Sequence, residues 1–258
     1  FAFGAISMGN KLIHRLPDLG NAREQFEVFD EFWNYNDGDL WTKLASDTNA
    51  TVAHEGSSGA TRVKLYTGDA IKNNEACFAT TNEIFKYVAN RGIELEGLVQ
   101  FAESATDDAK VAWGIADAIG ANLVTDAGAI TANDAALIWK NEDETKWRFH
   151  TECNGVQNKK YPGGSTADAA STLSTTTAGG STAQRLSISI TPVSSTVMRL
   201  VPKVDGVALV DSNNVPIVHH IAIASATEMD FGAYVKSGSG TSGQETLYVD
   251  YMYGAQVR

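Results

Sequence analysis

The sequence has few cysteines, few prolines and no long uninterrupted apolar run. Its two cysteines, Cys77 and Cys153, are too few for a disulfide framework, and neither has a CxxC or histidine partner at metal-binding spacing. We therefore expect two small, semi-buried free thiols. No apolar stretch reaches the length needed to span a bilayer, and no basic-then-apolar signal peptide is present, so neither a membrane span nor a leader is predicted.

Positive charge is also scarce. The chain carries 20 Lys and Arg against 31 Asp and Glu, which gives a net charge of −11, and its best basic cluster is Lys159–Lys160. Proteins that bind a phosphate backbone or an anionic membrane normally present a basic face. The composition therefore argues against nucleic acid and membrane surfaces as partners.

The residues that are abundant favour β-structure. Hydrophobic residues make up 43% of the 258 positions, and 23 Gly stand against five Pro. A chain of this length is commonly one domain when it is a β-sandwich or barrel, and this one has enough apolar material for one large core. Frequent Gly, Ser and Thr favour short strands joined by turns over long helices.

Alternation of apolar and polar residues marks many strands. Residues 61–66 alternate over a short strand, and residues 92–103 form the longest alternating run, with Ile93, Leu95, Val99 and Phe101 on one face. We expect Asp107 and Asp108 to turn the chain, so that residues 110–115 return as the second strand of a hairpin.

Two further hairpins are indicated. Residues 136–140 and 145–151 flank a polar turn at 141–144, and Asp205–Gly206 is a strong two-residue turn signal. About a dozen short strands with no credible long helix predict an all-β fold. We expect an antiparallel two-sheet jelly-roll sandwich.

The chain divides into an N-terminal segment and one domain. We interpret residues 1–25 as an assembly arm whose apolar side chains bind a partner protein. The alternative is that this segment forms an edge strand of the chain's own sandwich. The arm's apolar residues are Phe1, Phe3, Ile6 and Met8. Residues 26–258 form the predicted jelly-roll domain, in which the low-complexity tract 155–183 is expected to be a surface loop.

Several motifs, taken in order, resemble the concanavalin A-like jelly roll of lectins and laminarin-degrading glucanases. They are "FDEFW" with "DLWTKL" near the start, "QRLSISITP", "PKVDGVALVD" and the terminal "ETLYVDYMYGAQVR". The phrases "WNYNDGDLWTKL", "TDDAKVAWGIADAI" and "TPVSST" resemble the branch of this fold found in virions of tailed bacteriophages. The resemblance covers roughly residues 26–258.

This second resemblance implies a non-enzymatic virion structural protein. It would be a capsid decoration, cement or fibre component, assembled in the bacterial host cytoplasm and located in the virion. Its expected partners are the major capsid protein or other virion proteins, and sister subunits in a homo-oligomer. The alternative is a carbohydrate-binding, lectin-like module that contacts a surface glycan; a polysaccharide hydrolase or lyase comes third.

The enzyme alternative is weakened by an incomplete carboxylate motif. Glucanases of the resembling family carry Glu-x-Asp-x-x-Glu on one strand, which places the first two acids on one face. Glu94 and Glu96 imitate the first pair, but Val99 occupies the third position. Lyases of this fold would need a Tyr and His pair that the sequence around His150 and Tyr161 does not provide. We therefore expect no polysaccharide-cleaving activity and no catalytic residues.

Other candidate sites were weighed against structural roles. On a strand, the rings of His219 and His220 point to opposite faces, so they cannot chelate one ion. No Ser-His-Asp pattern, Gly-x-Ser-x-Gly elbow or phosphate-binding Gly loop is present. Trp139 and Trp147 could meet across their hairpin and contact a sugar or partner, but core packing is the favoured role for all the tryptophans. The resemblance to the lectin fold implies one calcium ion between the first and last strands, with Asp30 and Asp250 as ligands.

Overall fold

The computed structural model describes most of the chain. The described residues are 7–8, 11–12, 25–33, 37–45, 49–55, 61–69, 71–103, 107–157, 171–223, 226–238 and 243–257. Every regular element in these ranges is a β-strand. Within them, no helix has the length and apolar character needed to cross a membrane.

The strands are numbered in chain order. They are β1 (Ser7–Met8), β2 (Lys11–Leu12), β3 (Gln25–Asp30), β4 (Trp41–Ala45), β5 (Thr51–Glu55), β6 (Arg62–Tyr66), β7 (Glu75–Thr80), β8 (Phe85–Lys86), β9 (Ile93–Ala102), β10 (Lys110–Ala116), β11 (Ala135–Lys140), β12 (Lys146–Cys153), β13 (Val156–Gln157), β14 (Ser171–Thr177), β15 (Gln184–Ser194), β16 (Val197–Val204), β17 (Val207–Ala208), β18 (His219–Ala222), β19 (Glu228–Lys236) and β20 (Thr246–Val257).

These strands form two antiparallel sheets, which confirms the predicted sandwich. Sheet A contains eleven of the described strands in the order β1-β2-β3-β20-β9-β15-β16-β17, with β18 beside β16 and the β5–β6 pair beside β20. Sheet B contains nine, in the order β13-β12-β11-β10-β19-β7-β4, with β14 beside β12 and β8 beside β19. The long terminal strand β20 is central to sheet A because it pairs with β3, β6 and β9.

The alternation of β9 has the orientation that the sequence predicts. Ile93, Leu95, Val99 and Phe101 are buried between the sheets, while the intervening residues are more exposed. Successive side chains of a strand point to opposite faces, so a single strand supplies both the core and the outer surface. The predicted turn at Asp205–Gly206 is also confirmed: both residues have positive φ, and Val204 pairs with Val207.

The core between the sheets is rich in aromatic rings in edge contact. Trp41 and Phe78 have ring centroids 5.2 Å apart, and Trp113 packs 5.5 Å from Phe231. Aromatic rings prefer such edge-to-face arrangements, which add to the stabilisation from burial. The large sandwich core thus absorbs three of the five tryptophans: Trp41, Trp113 and Trp147.

A second apolar cluster lies on the outer face of sheet B. Ile119, Leu123 and Val124, from the connection between β10 and β11, cover the outward side chains of the sheet, including Leu137 and Tyr234. We call residues 117–134 the covering segment. Because this connection buries one face of the sheet, only part of that face remains open.

Buried lysines fasten the covering segment to the sheet. Lys236 Nζ lies 2.7 Å from Asp126 Oδ1 and donates to the Val124 carbonyl at 3.2 Å. Lys110 Nζ donates to the Asp126 carbonyl at 2.9 Å. Both lysine side chains are almost completely buried, and buried ammonium groups persist only where they are paired in this way.

One predicted hairpin is wrong. β9 belongs to sheet A, where it pairs with β15 and β20, whereas β10 belongs to sheet B, where it pairs with β11 and β19. The turn at Asp107–Asp108 therefore carries the chain from one sheet to the other. The same turn residues serve a hairpin and a crossover, so the local sequence does not distinguish the two.

The low-complexity tract is not a loop throughout. Ser171–Thr177 forms strand β14, which pairs with β12 at the edge of sheet B. Strand pairing uses backbone groups, so this polar segment joins the sheet without an apolar pattern. Residues 158–170 of the tract lie outside the described residues.

The N-terminal segment is described only in part. Ser7–Met8 pairs with Lys11–Leu12, and Leu12 pairs with Phe29, which places these strands at the edge of the chain's own sheet A. This pairing agrees with the alternative interpretation, in which the segment is an edge strand and not an assembly arm. Phe1, Phe3 and Ile6 lie outside the described residues, and Met8 is described in its backbone alone.

Candidate ligand pocket on the outer face of sheet B

An open pocket of about 390 Å³ lies on the outer face of sheet B, beside the covering segment. Its size falls within the range of pockets that bind small molecules. Three strands and the covering segment contribute its walls. The lining residues are Gly128, Ala129, Ile130, Trp139, Asn141, Arg148, His150, Glu152 and Ser171.

Strand geometry explains why these side chains converge. Arg148, His150 and Glu152 are alternate residues of β12, so they share one face. Across the sheet, Trp139 of β11 pairs with Arg148, and Ser171 of β14 pairs with His150. Directly paired residues on neighbouring antiparallel strands also share a face. The register of β11, β12 and β14 therefore assembles one polar surface.

A chain of polar contacts runs along the pocket floor. Trp139 Nε1 donates to Ser171 Oγ at 3.0 Å, and His150 Nδ1 lies 3.1 Å from the same oxygen. On the other side of the imidazole, Nε2 lies 3.4 Å from Glu152 Oε2. His150 is only 4% exposed, so these contacts hold its ring in a fixed orientation.

The pocket's arginine is paired with a carboxylate. Arg148 Nε donates to Glu144 Oε2 at 2.6 Å, and a second guanidinium nitrogen contacts the other oxygen of Glu144. The same guanidinium lies 5.7 Å from the centre of the Trp139 ring, within range of a cation–π interaction. The two-point pairing fixes the plane of the guanidinium beside the indole.

Two buried polar atoms of the pocket lack hydrogen-bond partners. They are Asn141 Oδ1 and His150 Nε2. The Asn141 amide packs tightly against Gly128, where an added Cβ would lie 2.5 Å from Asn141 Nδ2. Gly128 also has a φ of +78°, which favours glycine. A buried polar atom without a partner is costly, so such atoms beside a pocket indicate a place for a ligand or water.

The predicted contact between Trp139 and Trp147 is wrong. In the register of β11 and β12, Trp139 pairs with Arg148. Trp147 is the neighbour of Arg148 along β12, so its side chain points to the opposite face. Trp147 is buried in the core, donates to Gln184 Oε1 at 2.8 Å and packs edge-on against Phe101. Of these two tryptophans, only Trp139 lines the pocket, and it is 3% exposed.

The predicted calcium ligands occupy different environments. Asp30 is 4% exposed, and its two oxygens accept hydrogen bonds from Phe32 N and Trp41 Nε1, each at 2.7 Å. Asp250 is half-buried at a register shift in β20, and burial raises the pKa of its carboxyl while Arg62 opposes the shift. In the described ranges, no group of three or more His, Cys, Asp or Glu could hold a metal ion. The two N–H donors give the Asp30 carboxylate a structural role, and calcium binding by Asp30 and Asp250 stays a prediction.

The remaining titratable candidates have structural surroundings. His219 is buried, with its ring nitrogens 2.8 Å from Thr151 Oγ1 and 2.9 Å from Thr172 Oγ1, whereas His220 is partly exposed on the other face of β18. Burial lowers the pKa of His219 to about 3, with His150 and His220 adding to the shift. Both cysteines are thiols, and they are buried more completely than the sequence predicts; burial raises the pKa of Cys77 to about 12.

The two glutamates of the incomplete glucanase motif lie on the outer face of sheet A. Glu94 accepts a hydrogen bond from Ser189 Oγ at 2.7 Å, and Glu96 accepts one from Tyr251 Oη at 2.7 Å. Burial raises the pKa of Glu94, against the effects of Ser189 and Lys203. Val99 is buried in the core. These carboxylates lie on a different sheet from the pocket.

The sequence gives little indication of the pocket. Asn141, Arg148, Glu152 and Ser171 have no motif in common, and the sequence suggests a role for His150 only in the lyase alternative. The alternation of Arg148, His150 and Glu152 is a usable signal, because it predicts three polar side chains on one face of a strand. Ser171 lies in the tract that we interpreted as a loop, so its place opposite His150 had no signal in the sequence.

Comparison with known proteins identifies the fold. No family model matches the sequence, and no curated protein matches it. Among solved structures, the carbohydrate recognition domain of Emp47p is similar, with a TM-score of 0.53, 12% identity and coverage of 88% of this chain and 93% of that one. An endo-1,3-β-glucanase from Streptomyces sioyaensis is similar with a TM-score of 0.52, 14% identity and coverage of 94% and 99%.

A third similar structure is the potassium-bound form of the Emp46p carbohydrate recognition domain. Its TM-score is 0.51 at 11% identity, and the likeness covers 87% of this chain and 94% of that one. The comparisons give no support to the virion role implied by the resemblance to phage proteins. At these identities the likeness concerns the fold alone, and it shows that the chain adopts the concanavalin A-like sandwich of these carbohydrate recognition domains and the glucanase.

Proposed function

We propose that this chain is a lectin-like carbohydrate-binding module and that its ligand enters the pocket on sheet B. The observation that carries the proposal is a buried acceptor without a hydrogen-bond partner, Asn141 Oδ1, at the wall of an open pocket. A saccharide supplies several hydroxyl groups that both donate and accept, so one of them can donate the missing hydrogen bond to Asn141 Oδ1.

The pocket's composition supports a saccharide over a purely apolar ligand. Asn141, Glu152, Ser171 and the guanidinium of Arg148 present polar groups, while the Trp139 indole adds one aromatic wall. Precisely placed polar groups beside an aromatic surface provide orientation and specificity in small-molecule sites. The carbohydrate recognition domains among the similar structures support the same class of ligand.

We further propose that the module does not cleave glycosidic bonds. Glu94 and Glu96 are hydrogen-bonded on the outer face of sheet A, and the third acid of the motif is replaced by the buried Val99. Two carboxylates on opposite sides of one glycosidic bond are needed for hydrolysis by the usual route. Capsid binding, self-association and a place in a virion stay predictions from the phage resemblance.

The experiment is a glycan array with the whole chain, followed by calorimetric titration of the saccharide that gives the strongest signal. Asn141→Ala removes one unpartnered acceptor and should weaken binding about tenfold, the effect of one buried hydrogen bond. Asn213→Ala is the matched control, since Asn213 is exposed in the turn after Asp211 and does not line the pocket. Absence of saccharide binding, or equal affinity in Asn141→Ala and the control, would overturn the proposal.

A further inference from the structure

Three side chains of the pocket, Ser171, His150 and Glu152, are arranged like the serine, histidine and carboxylate of nucleophilic hydrolases. His150 Nδ1 lies 3.1 Å from Ser171 Oγ, and His150 Nε2 lies 3.4 Å from Glu152 Oε2. A hydroxyl beside an imidazole, whose other nitrogen faces a carboxylate, is the arrangement that activates a serine nucleophile. The strand register creates it: Glu152 follows His150 on the same face of β12, and Ser171 is the cross-strand partner of His150.

The donors around Ser171 determine which way its proton points. Trp139 Nε1 can only donate, so Ser171 Oγ accepts that hydrogen bond and keeps its own proton for another acceptor. The carboxylate of Glu152 favours the tautomer of His150 that carries its proton on Nε2, which leaves Nδ1 as an acceptor. Ser171 therefore donates to His150 Nδ1, as a serine that will lose its proton to a base must do.

We propose that Ser171 is a nucleophile that hydrolyses acyl esters on a saccharide bound in this pocket. The inference rests on the proposed function for the ligand class. Ser171 Oγ would attack the ester carbonyl carbon while its proton passes to His150 Nδ1. The bond from that carbon to the sugar oxygen then breaks, and His150 returns the proton to the sugar oxygen, so the alcohol leaves and an acyl-serine remains.

Water completes the reaction. It attacks the acyl carbonyl and gives one proton to His150, and that proton then returns to Ser171 Oγ as the acyl–oxygen bond breaks. The sum is ester plus water to carboxylic acid plus alcohol, with no oxidant or further co-reactant. Glu152 acts as a positioning residue, because its charge lies 3.4 Å from His150 Nε2, favours a proton on that nitrogen and stabilises the imidazolium formed in both steps.

Two features of the pocket favour this chemistry. His150 is 4% exposed, so its ring is held away from bulk water, where hydrogen bonds and charges have more effect. Arg148 lines the same pocket as Ser171, and Glu144 uses only two of the five guanidinium N–H groups, so the others are available as donors. Positively charged donors of this kind stabilise the oxyanion of a tetrahedral intermediate.

The first test needs no variant. The whole chain is treated with a fluorophosphonate, and the intact mass and peptide map are measured. One adduct at Ser171 is expected, because an activated serine reacts with this probe and ordinary surface serines do not. Absence of an adduct at Ser171 would overturn the proposal.

The second test measures acetate release from p-nitrophenyl acetate and from an O-acetylated methyl glycoside. Ser171→Ala should lower kcat/KM at least a hundredfold. Glu152→Gln should lower kcat at least tenfold with little change in KM, which a purely structural role would not produce. Ser189→Ala is the matched control, since Ser189 lies on the outer face of sheet A, and it should retain wild-type turnover. Equal turnover in Ser171→Ala and the control would overturn the proposal.

The two proposals fail in distinguishable ways. A chain that binds saccharide on the array but neither reacts with fluorophosphonate nor releases acetate keeps the proposed function and overturns the nucleophile. A chain that binds no saccharide overturns the proposed function, while labelling at Ser171 and loss of p-nitrophenyl acetate turnover in Ser171→Ala would still establish the nucleophile.

Discussion

Replacing Asp30 by alanine should be among the most destabilising single changes in the core. Its carboxylate is 4% exposed and accepts hydrogen bonds from Phe32 N and Trp41 Nε1, each at 2.7 Å. Phe32 has a φ of 50°, which a bulky residue rarely adopts, and the bond from its N–H to Asp30 Oδ1 holds this turn. The change therefore removes the partner of two buried donors and the support of a strained residue.

The magnitude follows from the two donors. Each buried donor left without a partner costs roughly 1 to 3 kcal/mol, so Asp30→Ala should lower the free energy of unfolding by about 3 kcal/mol. Asp30→Asn should cost less, because its carbonyl oxygen still accepts one hydrogen bond. Urea unfolding followed by tryptophan fluorescence gives these values.

Two comparisons make the assay specific. Trp41→Phe keeps the buried ring but removes the N–H donor, so the double variant with Asp30→Ala should lose less than the sum of the single variants, by about 1 kcal/mol. Asp250→Ala is the matched control, since Asp250 is half-buried and carries none of these bonds. A loss below about 0.5 kcal/mol in Asp30→Ala, no greater than that of an ordinary surface change, would refute the reasoning.

Three other predictions concern pH, packing and activity. Burial raises the pKa of the Asp230 carboxyl from 3.8 to about 6, and the charges of Glu83 and Asp117 add to the shift. The folded state therefore keeps this proton to a higher pH than the unfolded state does, so the free energy of unfolding should fall as the pH rises from about 4 to 6. Urea titrations across this pH range should show a smaller decrease for Asp230→Asn. Gly97→Ala should lower the melting temperature by several degrees because its Cβ would lie 2.7 Å from Trp113 Nε1, whereas Gly120→Ala meets nothing nearer than 3.9 Å and should not. A reducing-sugar assay on a β-glucan panel should show no turnover, and turnover abolished by Glu94→Gln would contradict this expectation.

The sequence predicts the sandwich because strand alternation is a local property. Ile93, Leu95 and Val99 alternate with polar residues, and a strand with one buried face permits only one orientation for such a run. The turn at Asp205–Gly206 is also predictable from local sequence, because Asp and Gly readily adopt the positive φ that a tight hairpin requires and both do so here.

Sheet membership is not local, and this explains the wrong hairpin. The turn at Asp107–Asp108 would suit a hairpin, but β9 and β10 lie in different sheets. The choice depends on which partners each strand finds elsewhere in the chain. The covering segment is equally hard to predict from the sequence, because Ile119, Leu123 and Val124 pack on sheet B without the residue pattern of a strand or helix.

The pocket depends on the register between neighbouring strands, which is even harder to predict from the sequence than the sheet to which a strand belongs. A shift of one residue in the pairing of β11 and β12 would move Trp139 from the pocket to the core, where its hairpin neighbour Trp147 lies. Ser171 reaches His150 only because a polar, low-complexity segment adds its backbone to the edge of sheet B. Its four threonines favour a strand, but the segment has no apolar alternation that would indicate its partner or its register.

The most direct test of the pocket is a two-dimensional ¹H–¹⁵N spectrum of the tryptophan indoles during titration with the saccharide that the array selects. Trp139 Nε1 donates to Ser171 at the pocket floor, whereas Trp33 is 67% exposed elsewhere and Trp41, Trp113 and Trp147 are in the core. Binding in the pocket predicts that the Trp139 indole resonance shifts and saturates with the calorimetric affinity while the other four stay in place. A saturable shift of Trp33 alone, or bound saccharide with an unmoved Trp139 resonance, would contradict the account.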